Sequence, residues 1–340
     1  MEALVPRSEH LCSELERQFD GDYHEGMLWL RGVMLALVGL AVSAETFEVR
    51  GQLVPAARAS VSLHGATSPF QASTLSDSSG QFKFTRIEAG SYSLIIFVPG
   101  SGETRKTIDI GPKVAGKGRR VELAVKLDEA KMTPDRSSVV SMRELAIPDS
   151  ARAEYLHAAK KLGQRDVDGA IAHLKRAVEI APQFASAWNH LGTIAYQTRR
   201  YSDAEGYFRK SLEADPQAYE PLVNLGGVLV TLGRMTEAWS FNLNAVLRRP
   251  NDALAQSQMG MTYFGLGKLE LAERYLLEAR RLDGGHFSHP QLLLAEIYLR
   301  RDEKQKAAEQ LEDFLRHHPD WPQGEEMKRG ISRLRGSPGA

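Results

Sequence analysis

Trp188-Asn-His-Leu191-Gly192 begins a pattern that continues with Ala204-Glu-Gly-Tyr-Phe208 and ends at Pro216. The same types of residue recur 34 positions before and after it, which marks an internal repeat. The recurring residues are Pro182, Pro216 and Pro250, then Ala170, Ala204, Ala238 and Ala272, then Leu191-Gly192, Leu225-Gly226 and Met259-Gly260. A period of about 34 residues is typical of stacked helical hairpins, each of which buries its apolar face only against its neighbours. The second half of the chain is therefore expected to be an all-α solenoid.

The order Trp, Leu-Gly, Ala, Phe and Pro resembles the tetratricopeptide repeat over about half of the chain. Tyr196 departs from the family pattern by one position. The frame predicts five repeats, at 151–184, 185–218, 219–252, 253–287 and 288–321, followed by a capping helix and tail at 322–340. Small residues are expected where two helices approach closely, and proline where a second helix ends. The bulky residues expected to fill the space between neighbours are Trp188, Phe208, Leu225 and Leu276.

The resemblance implies a superhelix with a concave groove, lined by the first helix of each hairpin, that binds an extended peptide or a partner helix. The frame gives this groove amide, hydroxyl and aromatic side chains: Tyr155, Asn189, His190, Thr193, Tyr196, Asn224, Gly227, Gln258, Met261 and Phe264. Amides can pair with a peptide backbone, and aromatic rings supply contact area at a low entropy cost. An alternative for Asn189 and Asn224 is a hydrogen bond within the repeat. The members of the family that bind chaperones hold a C-terminal carboxylate with a clamp of lysines and arginines. This groove lacks those cations, so a partner of that class is disfavoured.

Residues 45–130 carry short segments in which apolar and polar residues alternate, separated by Gly, Pro and Asp. This pattern predicts an antiparallel β-sandwich. The predicted strands are 46–54, 59–64, 81–85, 91–98, 107–110 and 121–127. The side chains expected to fill the space between the sheets are Phe82, Phe84, Ile87, Tyr92, Leu94 and Ile96.

The run Gly80-Gln-Phe-Lys-Phe84, then Ile87, then Gly90-Ser-Tyr-Ser-Leu94 resembles the carboxypeptidase regulatory-like domain, a prealbumin-like sandwich. Such domains are accessory modules. The related superfamily includes starch-binding modules, so carbohydrate binding by the sandwich is an alternative function. A sugar site needs exposed aromatic rings, whereas most aromatic residues here fall at inward positions of the alternation.

The amino terminus predicts export. Residues 27–44 hold one charge, an apolar run and the small residues Val42-Ser43-Ala44, the layout of a signal peptide. An uncleaved signal anchor at 28–44 is the alternative, and it would be the chain's route to a membrane. Residues 1–26 are acidic, unlike the start of a signal, so translation from Met27 rather than Met1 is a hypothesis. The export signal predicts a periplasmic or secreted protein of bacterial type. A polar linker is predicted at 131–150, between the β-sandwich and the repeats.

Composition narrows the function further. The 43 basic and 43 acidic residues balance, so the chain has no net positive charge that would attract nucleic acid. Cys12 is the single cysteine, so an intrachain disulfide and a cysteine-based zinc site are excluded. Residues 111–118 nearly spell a phosphate-binding loop, but a strand rather than a helix is expected next. With no catalytic, metal or cofactor residues identified, we expect a non-enzymatic scaffold that binds a protein or peptide; an enzyme is a third, unsupported alternative.

Overall fold

The computed structural model describes residues 45–127 and 146–336. The signal segment at 27–44, the segment at 1–26 and most of the linker at 131–150 lie outside the described residues. The first described part is a β-domain and the second is helical, which confirms the predicted fold class. The strands are β1 Thr46–Val54, β2 Ser60–Gly65, β3 Gln71–Leu75, β4 Gln81–Glu88, β5 Gly90–Val98, β6 Gly102–Ile110 and β7 Arg120–Lys126.

Two sheets face each other in the β-domain, one ordered β4-β1-β7 and the other β3-β2-β5-β6. Neighbouring strands are antiparallel except β1 and β7, which pair in parallel. All six predicted core side chains are buried between the sheets. Gly51 of β1 is required there, because a Cβ atom would lie 1.9 Å from the Phe82 ring. The sequence missed β3, and it began β6 at residue 107 although the strand starts at Gly102.

The helical part consists of five antiparallel helix pairs and a final helix. The pairs are α1 Asp149–Gly163 with α2 Val167–Ile180, α3 Ala185–Gln197 with α4 Tyr201–Ala214, α5 Tyr219–Thr231 with α6 Met235–Arg248, α7 Ala253–Gly265 with α8 Leu269–Leu282, and α9 Pro290–Arg300 with α10 Lys304–His317. The final helix, α11, spans Gly324–Leu334. Pro182, Pro216 and Pro250 follow α2, α4 and α6, where a ring that lacks an N–H prevents the helix from continuing.

Glycine lets the two helices of a pair approach closely, as the repeat pattern predicted. A Cβ atom on Gly192 would lie 2.5 Å from the Phe208 ring, and one on Gly260 would lie 2.6 Å from Leu276 Cγ. Phe208, Leu225 and Leu276 are buried as predicted. Trp188 differs, because its ring is only partly buried; it stacks on Tyr207 and its indole N–H donates to the Pro182 carbonyl at 2.8 Å.

The turn inside each pair places one residue in the left-handed backbone region. These residues are Arg165, Arg199, Gly233, Gly267 and Asp302, with φ between 57° and 74°. Glycine adopts this conformation without a Cβ clash, whereas arginine and aspartate adopt it at an energetic cost. The shared conformation explains how turns of different sequence join helices in the same geometry.

Candidate protein-binding surface

The first helices of successive pairs, α1, α3, α5, α7 and α9, form one side of the solenoid, which we call the first-helix face. Two contacts join α3 to α5 along it. Asn224 donates its amide N–H to the Asn189 side-chain oxygen at 3.0 Å, and the Tyr196 hydroxyl lies 3.1 Å from the Thr231 hydroxyl. The asparagines therefore bond to each other across neighbouring pairs, whereas the alternative from the sequence was a hydrogen bond within one repeat.

The other residues predicted for a peptide groove differ in accessibility. Tyr196 is 38% exposed. Tyr155 stacks on the His190 ring at 5.1 Å, and the Thr193 hydroxyl donates to the Asn189 carbonyl of its own helix. Met261 is partly buried.

Three of the predicted groove residues, Gly227, Gln258 and Phe264, are packed inside the solenoid. Gln258 is 5% exposed, and its amide fills the space beside Gly227, where a Cβ atom would lie 2.4 Å from the Gln258 nitrogen. Phe264 is 8% exposed and lies under the Arg300 guanidinium, 4.4 Å from the ring centre. In this conformation none of the three can contact a ligand, so the accessible part of the surface is narrower than the frame predicted.

The β-domain lies against the solenoid through the outer face of its four-stranded sheet. Along β6, the Arg105 guanidinium lies 3.2 Å from a Glu220 carboxylate oxygen at the start of α5. The Thr107 backbone N–H donates to Asp283 at 2.9 Å, after α8. Asp109 lies 2.5 Å from His318 Nδ1, after α10. One strand therefore contacts three successive levels of the solenoid.

Further contacts hold the domain at both ends. At the first helix pair, Arg165 lies 2.9 Å from Glu88 and its guanidinium covers the Phe70 ring at 4.8 Å. The Gln197 amide donates to the Gly65 carbonyl at 2.8 Å. At the last pair, Lys113 donates to Asp320 through its backbone and to a carbonyl through its side chain.

These contacts were not expected from the sequence, which predicted only a polar linker between the two halves. The residues involved follow no periodic pattern, and they come together only because the sheet spans the solenoid. Lys113 is one example, since the sequence of residues 111–118 indicates only a near match to a phosphate-binding loop. Most of the contacts named above are hydrogen bonds and ion pairs, and the exposed ion pairs contribute little each.

Buried histidines lie at this interface and beside it. Burial, and then the neighbouring His190 and Arg105, lower the pKa of His64 to about 4. Burial lowers the pKa of His190 to about 4. Both side chains are therefore neutral at pH 7. At the last pair, His286 and His318 are also buried, at 5% and 2% exposure.

The pKa values of one carboxylate and one hydroxyl on the first-helix face are also shifted. Burial would raise the pKa of Glu220, but Arg105 and Arg249 outweigh it, so the pKa is lowered and the carboxylate stays ionised. Burial raises the pKa of the Tyr196 hydroxyl, which therefore stays protonated. The surface can offer hydrogen bonds, one charge pair and a half-exposed ring to a ligand.

Other candidate sites lie away from this surface. Residues 111–118 form the loop between β6 and β7, and the strand that follows confirms the rejection of a phosphate-binding loop. Glu154, His157 and His173 bring three metal-ligating atoms within 4.8 Å of one another. The sequence did not single them out, because α1 and α2 supply them jointly. Across residues 45–127 and 146–336, no helix has both the length and the apolar character to cross a bilayer.

Comparison with known proteins shows which family the helical part resembles. A family model described as tetratricopeptide repeat matches residues 155–219 and 257–324. A relative from Drosophila melanogaster, named BBSome complex member BBS4 homolog, is 24% identical over 151 residues, which make up 44% of this chain and 30% of that protein. The chain thus spans less than a third of that relative's length.

Solved structures show the same likeness over about half of the chain. MamA 41-end from Desulfovibrio magneticus RS-1 is 22% identical and covers 52% of this chain and 98% of its own, with a TM-score of 0.46. PilF from Pseudomonas aeruginosa is 20% identical and covers 55% of this chain and 89% of its own, with a TM-score of 0.45. The two matched segments, residues 155–219 and 257–324, resemble tetratricopeptide repeats, and the five helix pairs continue the same arrangement from Asp149 to His317.

Proposed function

We propose that the chain is an exported, non-enzymatic scaffold that binds a partner polypeptide on the first-helix face of its solenoid. The observation that carries this proposal is the row of first helices with a half-exposed aromatic ring and side-chain amides at its centre. Tyr196 and Asn224 belong to α3 and α5, and both remain partly accessible. An aromatic ring and amides at the centre of a surface are what an extended polypeptide requires for contact area and backbone pairing.

The β-domain limits how that partner binds. Its sheet lies against the same side of the solenoid, where His64 is close to His190 and Arg105 pairs with Glu220. The partner and the β-domain therefore compete for part of the first-helix face. The Arg105–Glu220 and Arg165–Glu88 pairs of this interface are partly exposed and contribute little each, so the cost of displacing the β-domain lies mainly in the buried Asp109–His318 contact.

Variants on two faces of the solenoid test this proposal. Tyr196→Ala removes a 38% exposed ring on the first-helix face, and Leu247→Ala removes a 74% exposed side chain on α6, a second helix. Both side chains are exposed enough for the fold to survive their loss. Partners that co-purify from an envelope fraction should be lost with Tyr196→Ala and retained with Leu247→Ala. Equal recovery with both variants would contradict the proposal.

Export is the second part of the proposal, and the signal-like segment at 27–44 supports it. Amino-terminal sequencing of the mature protein should begin at Glu45 if the signal is cleaved after Ala44. An intact segment in a membrane fraction would favour the signal anchor. A start at Met1 in a cytoplasmic fraction would contradict export.

The carbohydrate-binding alternative receives no specific support from the β-domain. Of the six aromatic residues among positions 45–127, Phe47, Phe70, Phe82, Phe84 and Tyr92 are buried in the core. The sixth, Phe97, is partly buried. Sugar recognition by stacking needs an open ring face, so the protein-binding proposal is preferred. A glycan-binding assay on the full chain would reverse that preference if it found saturable binding.

A further inference from the structure

Two histidines and a glutamate meet on the first helix pair. Glu154 and His157 lie one turn apart on α1 and so share one side of that helix. His173 comes from α2, and its Nδ1 atom lies 2.6 Å from a Glu154 carboxylate oxygen. The His157 and His173 rings are 5.3 Å apart. One ligand atom from each residue lies within 4.8 Å of the other two.

We infer that Glu154, His157 and His173 form a binding site for Zn²⁺. Two imidazole nitrogens and one carboxylate oxygen are a donor set that zinc accepts, with a fourth position left for water. At metal–ligand distances of about 2.0–2.2 Å, donors around a tetrahedral ion lie about 3.3 Å apart. Any two of these atoms that lie farther apart than this must approach by up to about 1.5 Å, whereas the Glu154 oxygen and His173 Nδ1, at 2.6 Å, must move slightly apart. Rotation of surface side chains allows both movements.

The surroundings allow such an ion to bind and exchange. His157 is exposed, and the Glu154 and His173 side chains are 18% and 27% exposed, so the site opens to solvent. An ion bound by Glu154 of α1 and His173 of α2 would link these two helices.

One neighbouring cation works against the site. Arg176 Nη1 lies 3.8 Å from the second Glu154 oxygen, and the Arg176 side chain is 66% exposed. An exposed arginine can swing away, but its charge lowers the affinity for a divalent ion. Removing it should therefore strengthen zinc binding, which a role for Glu154 as a simple ion-pair partner does not predict.

The test is calorimetric titration of ZnSO4 into the full chain, free of any histidine tag, stripped of metal and carrying Cys12→Ser. We expect one equivalent to bind. His157→Ala, whose side chain is exposed, and Glu154→Gln should each weaken binding at least about tenfold, whereas Arg176→Ala should strengthen it. His317→Ala is the matched control, since it removes an exposed histidine from the last helix pair and should leave affinity unchanged.

Thermal unfolding gives a second readout, because an ion that binds the folded chain stabilises it. The midpoint should rise with zinc in the parent and in His317→Ala, and should not rise in His157→Ala. An absence of zinc binding, or binding that His157→Ala and Glu154→Gln leave unchanged, would overturn the inference. Neither result bears on partner binding at the first-helix face.

Discussion

Asp109 of the β-domain and His318 of the solenoid lie 209 positions apart in sequence, and a carboxylate oxygen of one lies 2.5 Å from Nδ1 of the other. The His318 side chain is 3% exposed, so the contact is withdrawn from water. It fixes the end of β6 at the last repeat, while Arg165 and Glu88 hold the opposite end of the domain at the first. The β-domain is thus part of the surface that the solenoid presents.

Removing this contact should loosen the docking of the β-domain. Asp109→Ala leaves the buried His318 ring without its acceptor, at a cost of about 1–3 kcal/mol. The amide of Thr107 reports the effect, because β6 is an edge strand and this N–H donates to Asp283 of the solenoid. Hydrogen exchange at Thr107 should become faster in Asp109→Ala. The control Glu122→Ala, at an exposed position of β7, should leave it unchanged; equal rates in both variants would show that Asp109 does not hold the domain.

Acid should weaken the interface through His64 and His190. Their pKa values of about 4 lie below the ordinary value of about 6.5, so the unfolded chain takes up protons that the folded chain does not. The free energy of unfolding is therefore greatest above pH about 6.5 and falls as the pH drops from there towards 4. By pH 5 each histidine should cost about 1–2 kcal/mol.

Denaturant titrations at pH 7.5 and pH 5 measure that loss. Arg105 is the charged group that acts on His64 besides His190, and Arg105 itself pairs with Glu103 and Glu220. Glu220 keeps its charge in this range, since its pKa is lowered. The double variant His64→Gln and His190→Gln should lose less stability between the two pH values than the parent. An identical loss would mean that the acid sensitivity arises elsewhere.

Two glycines provide a matched test of helix packing. Gly192→Ala places a Cβ atom 2.5 Å from the Phe208 ring, which should destabilise the chain by about 1–3 kcal/mol. Gly206→Ala meets no atom within 4 Å on an exposed part of α4, so it should stabilise the helix by about 0.5–1 kcal/mol. Thermal and chemical unfolding of the two variants should therefore shift in opposite directions. A stabilising Gly192→Ala would show that α3 and α4 are farther apart than described.

Turn residues give another stability prediction. Arg199 adopts a φ of 60°, the conformation that Gly233 and Gly267 hold in the next two turns. Arg199→Gly should relieve the strain and raise the free energy of unfolding by up to about 1 kcal/mol. The reverse case, Gly267→Ala, should lower it by about 1 kcal/mol, although no neighbouring atom would be met. If Arg199→Gly destabilises the chain, contacts of the arginine side chain outweigh its backbone strain.

The sequence predicted the helices well because the same pattern of small and large residues recurs in each repeat. Gly192 and Gly260 have the same neighbours, a large side chain on the second helix, in two different pairs. The alternation of apolar and polar residues likewise predicted the strands that hold Phe82 and Leu94. It failed for β3, Gln71–Leu75, since none of its residues is fully buried and no apolar alternation marks it.

The candidate surface was harder to predict than the fold. Position in a repeat assigns a residue to a helix face but does not say what covers it, and Gln258 and Phe264 are packed by neighbours that the frame did not include. The contacts of Asp109 and Lys113 with the solenoid join segments that are far apart in sequence, so no local sequence pattern predicts them. The cluster of Glu154, His157 and His173 was missed for the same reason.

Site-specific photo-crosslinking tests the central claim most directly. A photoreactive side chain placed at Tyr196, on the first-helix face, and separately at Leu247, on a second helix, would be activated in intact cells. Binding on the first-helix face predicts a discrete adduct from position 196, stronger when Asp109→Ala loosens the β-domain, and little or none from position 247. Adducts of equal yield from both positions, or from position 247 alone, would contradict it.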